Sequence, residues 1–271
     1  MAMWNELLKD RVAVITGAAM GMGRAAAMLF ARHGAKVLVA DVNDDQGNRT
    51  MELIGLADEQ VAFAHCDVSN WTEVRSMAEA ALHRWGRIDI LYNNAAATQL
   101  CNDKDRAVHE LDEKVWNRQL DITLKGVYLC SKACIPAMLE QGRGVIINVS
   151  SCDAVLPEGG FDSYTAAKGG VVSLTKSMAV NYGKKGIRVN CISPGYIITE
   201  VQKKWFDENP AAVRTVESYH LTQRLGLPND VANMALFLAS DLSEFITGAI
   251  IPVDGGYQMY KASDVQQFCR D

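Results

Sequence analysis

Short runs of β-branched and aliphatic residues alternate with longer stretches of helical spacing almost to the end of the chain. The pattern predicts strands at Val12–Thr16, Lys36–Asp41, Val61–His65, Ile88–Asn93, Val145–Val149, Ile187–Ser193 and Ala249–Val253. Several of these are apolar on both faces, as a strand must be when helices cover the sheet above and below. Helical stretches lie between them, such as Gly21–His33 closed by Gly34 and Trp71–Trp85 closed by Gly86. A glycine just past a helix takes the left-handed conformation that ends it. Strand and helix in regular alternation imply right-handed crossovers, hence an α/β fold with a doubly wound parallel sheet of about seven strands. No repeat, low-complexity tract or Pro/Gly-rich linker interrupts the rhythm, so residues 1–271 are expected to form a single domain.

Two stretches break the pattern. Ala97–Glu110 is a polar insertion after the fourth strand, and Ile198–Leu221 follows the sixth with Trp205, Phe206 and Tyr219 among charged residues. Both leave the carboxyl ends of strands, where open α/β sheets bind ligands. They are candidates for substrate-binding walls, with 198–221 as a lid. The tail 257–271, "YQMYKASDVQQFCRD", is longer than the fold needs, and is expected either to be disordered or to reach a neighbouring subunit.

Composition narrows the class. Hydrophobic residues make up 49% and charged residues 22%, ordinary globular proportions. Twenty-seven basic against 32 acidic side chains leave a net charge of −5, which gives no reason to expect nucleic acid or an anionic membrane as partner. The nearest approach to a membrane span, Val12–Phe30, is broken by Gly17, Gly21, Gly23 and Arg24. Glu6, Lys9, Asp10 and Arg11 do not read as a secretory signal, and a soluble cytoplasmic protein is expected. Seven cysteines occur without a Cys-x-x-Cys pair; Cys130 and Cys134, four apart, are expected as core residues, and no metal is expected.

The first strand runs into "TGAAMGMG", residues 16–23. Gly17, Gly21 and Gly23 permit a tight turn and a close approach of backbone to ligand. The helix opening there, with Met20 and Met22 in its first turn, points free N–H groups and a positive dipole end at a pyrophosphate. The second strand ends in Asp41, eighteen residues past Gly23. A carboxylate there can accept both ribose hydroxyls and repels a 2′-phosphate, and no basic residue follows in Val42 and Asn43, so NAD is the expected cofactor.

Hydride transfer from an alcohol needs a base for the hydroxyl proton. A tyrosine can serve if a lysine one helical turn away stabilises its anion. Unit charges about 4 Å apart at an effective dielectric near 20 interact by about 4 kcal/mol, enough to bring a phenol toward neutrality. Three Tyr-x-x-x-Lys pairs occur: Tyr128 with Lys132, Tyr164 with Lys168, and Tyr257 with Lys261. Only Tyr164 has a hydroxyl thirteen residues upstream, Ser151; the corresponding positions for the others are Val115 and Glu244. Asp153 and Glu158, between Ser151 and Tyr164, are expected either to recognise a hydroxylated or cationic substrate or to be solvated loop carboxylates.

These pieces, with "CDV" at 66–68, "NNAA" at 93–96, "NVSS" at 148–151, "YTAAK" at 164–168, "RVNCISPGYIIT" at 188–199 and "VDGG" at 253–256, make the chain resemble the short-chain dehydrogenase/reductase family, NAD-dependent type, from Lys9 to about Tyr257. The resemblance implies a Rossmann-type sheet with Tyr164 as general acid/base, Lys168 tuning it and holding the nicotinamide ribose, and Ser151 binding the substrate oxygen. It implies that Asp67 and Val68 contact adenine and Asn94 lines the groove. Pro194, Ile197 and Thr199 would hold the carboxamide. It also implies a homotetramer or homodimer joined by the helices near 115–140 and 163–184. Two positions depart from the family pattern. Thr123 stands where asparagine usually holds a relay water; its hydroxyl is expected to bond a water or the carbonyl one turn back and to keep the relay with altered geometry. Ala96 replaces a glycine, with slightly tighter packing expected.

Three functions follow as alternatives. The first is an NAD-dependent dehydrogenase acting on a secondary alcohol of the hydroxysteroid, cyclic alcohol or polyol class, with the corresponding ketone as product. The second is a carbonyl reductase of the 3-oxoacyl thioester type, and the third a non-catalytic NAD-binding sensor.

Overall fold

The computed structural model describes residues 6–55 and 59–259. Its strands are β1 (Val12–Thr16), β2 (Lys36–Asp41), β3 (Val61–His65), β4 (Ile90–Asn93), β5 (Gly144–Val149), β6 (Ile187–Pro194) and β7 (Ile250–Val253). They form one sheet in the order β3-β2-β1-β4-β5-β6-β7, and every pairing is parallel. The chain steps from β1 outward to β3, then returns to the other side of β1 for β4. The direction of winding therefore reverses between β1 and β4, and a crevice opens at their carboxyl ends.

β4 begins two residues later than its sequence suggests. Asp89 accepts the Val12 N–H on its side chain at 2.9 Å and is gripped by Arg87, so the regular ladder starts beyond it.

Period-two alternation sends the strand side chains into two cores. Ala13, Ile15, Val37, Val39, Ile90, Tyr92, Val145 and Ile147 pack on one face against α1 (Gly21–Arg32) and α10 (Pro228–Ala239), with α2 (Asp44–Ile54) at the margin. Val12, Val14, Leu38, Leu91, Ile146 and Val189 pack on the other against α3 (Trp71–Trp85), α6 (Gly126–Glu140) and α7 (Asp162–Tyr182). Alanines dominate where α1 meets α10, which lets the two helices lie close. Asn70 caps α3 through the Thr72 N–H, and Gly86 ends it at φ +73°.

A continuous helical run joins α5 (Glu113–Leu120) to α6 through a π turn at Asp121–Lys125. Glu113–Glu140 is long and apolar enough to cross a membrane, a stretch other than the Val12–Phe30 segment singled out above. Val127, Leu129, Cys130, Cys134 and Met138 spend its apolar side on the cores, and Val12–Phe30 is β1 followed by α1.

The two irregular segments contain helices. Ala97–Glu110 forms α4 (Thr98–Lys104), and Ile198–Leu221 forms α8 (Glu200–Glu208) and α9 (Pro210–Ser218). Of the tail, Tyr257–Met259 form a short turn; residues 260–271 lie outside the described residues.

Inside the sheet, Asn93 on β4 donates to Asn148 on β5 at 2.9 Å, and Asn148 donates to Thr175 of α7 at 2.8 Å. All three are buried. This chain ties the central strands to the helix that carries Tyr164. Asn148→Ala strands the Asn93 amide without its acceptor, so a loss of about 1–3 kcal/mol is expected in urea unfolding.

Candidate active site

The crevice between β1 and β4 is a cleft of about 420 Å³. Its wall holds Gly17, Met20, Gly21, Met22 and Asp41 at one end, and Ser151, Tyr164 and Lys168 at the other. Asn94, Pro194, Ile197 and Thr199 line it between them. Residues more than 120 positions apart thus share one cavity because parallel strands all end on the same edge.

The nucleotide end is shaped by close backbone contact. A Cβ on Gly23 would lie 2.1 Å from the Gly17 carbonyl oxygen and 2.7 Å from Asn94 Nδ2. Gly23 is therefore buried behind the loop and does not line the cleft. Asn94 Nδ2 donates to the Thr16 and Gly17 carbonyls, at 3.2 and 2.9 Å, and so clamps the loop to β4. Asp41 accepts the Ala19 N–H at 2.9 Å and the Asn43 N–H at 3.0 Å, which fixes its carboxylate at the rim.

The site fits a dinucleotide. Helix α1 has no side-chain N-cap and no acid in its first turn, yet an anion already sits on it: Glu200, from α8, accepts the Gly21 N–H at 2.9 Å. That carboxylate stands in for a phosphate oxygen at a helix N-terminus. Asn94 Oδ1, at the cleft wall, is buried with no partner.

The catalytic end is built on α7. Tyr164 is hydrogen-bonded to Ser151. Lys168 is buried, with its ammonium 5.5 Å from the Tyr164 ring centre, and donates to the Val149 carbonyl at 2.8 Å. The helical spacing has thus brought the expected pair together, but the electrostatics differ from the expectation. Burial pushes the Tyr164 phenol up, and the Asp153 carboxylate adds to this; the lysine gives its hydrogen bond to the backbone, not to the phenol. Burial also pulls the Lys168 amine down to about 8.

Asp153 and Glu158 are not solvated loop carboxylates. Asp153 accepts the Ser151 hydroxyl proton at 2.8 Å, and burial raises its carboxyl. Glu158 is likewise raised by burial and is hydrogen-bonded to Tyr257.

Besides Gly23, three sequence-predicted positions lie off the cleft. Val68 is buried, and its side chain packs on the backbone of Gly126 at the start of α6, where a Cβ would meet it at 2.7 Å. Asp67 sits just past β3 with its carboxylate bonded to Ser69 and, at 2.9 Å, to Arg118. Burial opposes ionisation there, but those bonds hold the carboxyl below its usual range. Thr123 is buried in the π turn, and its oxygen accepts the Ala97 N–H at 3.2 Å and the Gln119 amide at 3.0 Å. It bonds a side chain one turn back rather than a carbonyl, and it anchors the start of α4 rather than facing the cleft.

The other two Tyr-x-x-x-Lys pairs are elsewhere. Tyr128 is half exposed, with Lys132 set over the Trp71 ring at 4.7 Å. Tyr257 packs against Tyr196 and His220, and Lys261 lies outside the described residues. Cys130 and Cys134 are buried among apolar side chains with their thiols pushed up by burial.

Sequence reasoning missed Asp105. From the segment after α4, this buried carboxylate accepts the Ser163 N–H at 3.2 Å, the Ser163 hydroxyl at 2.7 Å and the Tyr164 N–H at 2.9 Å. It caps the helix at the residue beside the working phenol. No local spacing marks it, because its partners are 58 and 59 residues away.

A phenol that can exchange protons, set in a cleft shaped for a diphosphate, equips a nicotinamide-dependent oxidoreductase. Known proteins agree on the kind. Residues 17–258 match the family model described as enoyl-(acyl carrier protein) reductase. An uncharacterized oxidoreductase of Bacillus subtilis (strain 168), YxbG, is 42% identical over 258 residues, 93% of each chain. Cis-4-hydroxycyclohexanecarboxylate dehydrogenase of Sinomonas cyclohexanicum is 39% identical over 93% of this chain and 98% of its own. The crystal structure of levodione reductase superposes with a TM-score of 0.87 at 32% identity, covering 94% of this chain and all of that one. The chain belongs to the short-chain dehydrogenase/reductase family, and its cofactor is NAD.

Two outcomes test this geometry. Asp41→Ala should cost NAD about tenfold or more in kcat/KM while NADP is affected far less, since a charge-assisted pair to the ribose is worth about 1.5–3 kcal/mol. Asp105→Asn should lower kcat well beyond any change in the KM for NAD, measured where the variant is still folded. A loss matched by Asn148→Ala at equal stability would reduce Asp105 to a structural prop.

Proposed function

We propose that the protein interconverts a secondary alcohol and its ketone, the alcohol being of the hydroxysteroid, cyclic alcohol or polyol class. One observation carries the reading: Ser151, Tyr164 and Lys168 meet at the same cleft as Asp41 and the glycine loop. A relative whose name specifies a hydroxycyclohexanecarboxylate favours the cyclic alcohols.

NAD, when bound, supplies the hydride acceptor. The protein's own residues handle the proton. Ser151 and Tyr164 are bonded to each other, so a single substrate oxygen can bridge both. Tyr164 then takes the alcohol proton. Its burial makes the anion costly, and the Lys168 cation is the group on the same helix that offsets this cost. With one N–H given to Val149, Lys168 keeps two for the nicotinamide ribose. Ile197 and Thr199 line the cleft between the glycine loop and Ser151, and would hold the carboxamide.

The second reading, a carbonyl reductase working on 3-oxoacyl thioesters, has support in a 34% identical relative of Chlamydia muridarum named a 3-oxoacyl-[acyl-carrier-protein] reductase. Asp41 counts against it, because such reductases usually draw on NADPH. A dimer or tetramer joined through α6 and α7 accompanies either reading, supported by Tyr128 and Val180 standing exposed on those helices.

NADH formation across cyclohexanol, cis-4-hydroxycyclohexanecarboxylate, a hydroxysteroid and a polyol, beside NADH consumption with a 3-oxoacyl thioester, tests the assignment. NAD binding with no turnover of any of these would favour the sensor. On the alcohol that is oxidised, Tyr164→Phe should lose about a hundredfold or more in kcat. The Lys168 charge is present below about 8 and lost above it. Alcohol oxidation should therefore turn down above about 8 as that charge is lost, while Lys168→Arg should carry the turn to higher pH.

A further inference from the structure

Glu200 is the first residue of α8, in the segment read as a lid, and its partners are not on that segment. Oε2 accepts the Gly21 N–H at 2.9 Å, and Oε1 meets Arg24 Nη1 at 3.2 Å. Both partners belong to α1, across the cleft. Thr199, next to Glu200, lies so close that a Cβ on Gly21 would be 3.1 Å from its Cγ2. Arg24 is itself pinned: it bonds the Ala19 carbonyl, Thr50 at 3.0 Å and Gln46 at 2.8 Å. Its cation is therefore a fixed part of the rim. The uncapped start of α1 plus a fixed guanidinium is a place for an anion, and the chain fills it with its own carboxylate.

We propose that Glu200 is an affinity- and specificity-setting residue of the cofactor site, an internal occupant that a diphosphate must displace from Gly21 and Arg24. The inference rests on the NAD reading of the cleft. Displacement exchanges one carboxylate for a diphosphate on the same N–H and guanidinium donors, with no covalent step. A ligand that carries the diphosphate overcomes Glu200; adenosine reaches the Asp41 rim without meeting it. The carboxylate thus weakens binding of the correct ligand somewhat, and it also holds α8 against α1, coupling the lid to the diphosphate position.

Calorimetric titration with ADP-ribose and with adenosine tests this, using the full chain and Glu200→Ala, Glu200→Gln and Glu200→Asp. Glu200→Ala and Glu200→Gln should bind ADP-ribose about three- to tenfold more tightly, with adenosine unchanged. Glu200→Asp separates contact from charge: one methylene shorter, it keeps the charge but falls short of Gly21, so it should tighten ADP-ribose like the alanine variant. Amide hydrogen exchange at Gly21, without ligand, should be faster in the alanine and aspartate variants than in the parent. Unchanged ADP-ribose affinity with unchanged Gly21 exchange overturns the proposal, as does a Glu200→Asp protein that behaves like the parent in both. Failure of parent and variants alike to bind ADP-ribose would instead remove the NAD reading, while Gly21 exchange still reports whether Glu200 holds that amide.

Discussion

Seven strands running in one direction put all seven carboxyl ends on one edge, and that constraint organises everything else here. Each strand hands the chain over at the same level, so a glycine loop, the Asp41 carboxylate and a Ser–Tyr–Lys group converge on one cleft. The reversal of winding beside β1 leaves the crevice in which they meet. Because the sheet is covered on both faces, the strands below that edge need only be apolar. Among the buried polar exceptions, Asn93 and Asn148 pair with one another and with Thr175, and Asn190 donates to the Ile246 carbonyl.

What lies above the edge is held by carboxylates more than by hydrophobic contact. Asp105 fixes the first turn of α7, Asp41 the turn after β1, and Asp153 the hydroxyl of Ser151. Each takes up backbone or hydroxyl protons that a loop would otherwise leave unpaired. Such groups are expensive to bury unless fully bonded, so they define positions sharply. They also set the electrostatic background against which Tyr164 works: a phenol raised by burial and by a neighbouring carboxylate depends on its lysine.

The sheet and the cleft were largely legible in the sequence because their signals are local. Strand alternation, the glycine spacing before α1, Asp41 at the end of β2 and the one-turn step from Tyr164 to Lys168 are all written within short windows. The start of β4 was misjudged because the Val12 N–H goes to the Asp89 carboxylate and not to a backbone carbonyl of the strand. Asp105 and Glu200 were invisible for a different reason: their partners are 58 to 59 and 176 to 179 residues away. Val68 was read from its motif as a ligand contact, and its side chain packs on Gly126. Thr123 lies buried within the π turn, where its oxygen accepts the Ala97 N–H, a partner 26 residues away that no local spacing marks.

The six cysteines within the described residues are all buried, and burial raises every one of their thiols. At neutral pH such groups hold almost no thiolate, the form that attacks oxidants and alkylating reagents. Sulfur here serves as compact, polarisable filling for gaps that a methyl would leave and an isopropyl would overfill. Cys152 sits directly beside Ser151, so the cleft has next to it a sulfur that burial keeps in its protonated, unreactive form.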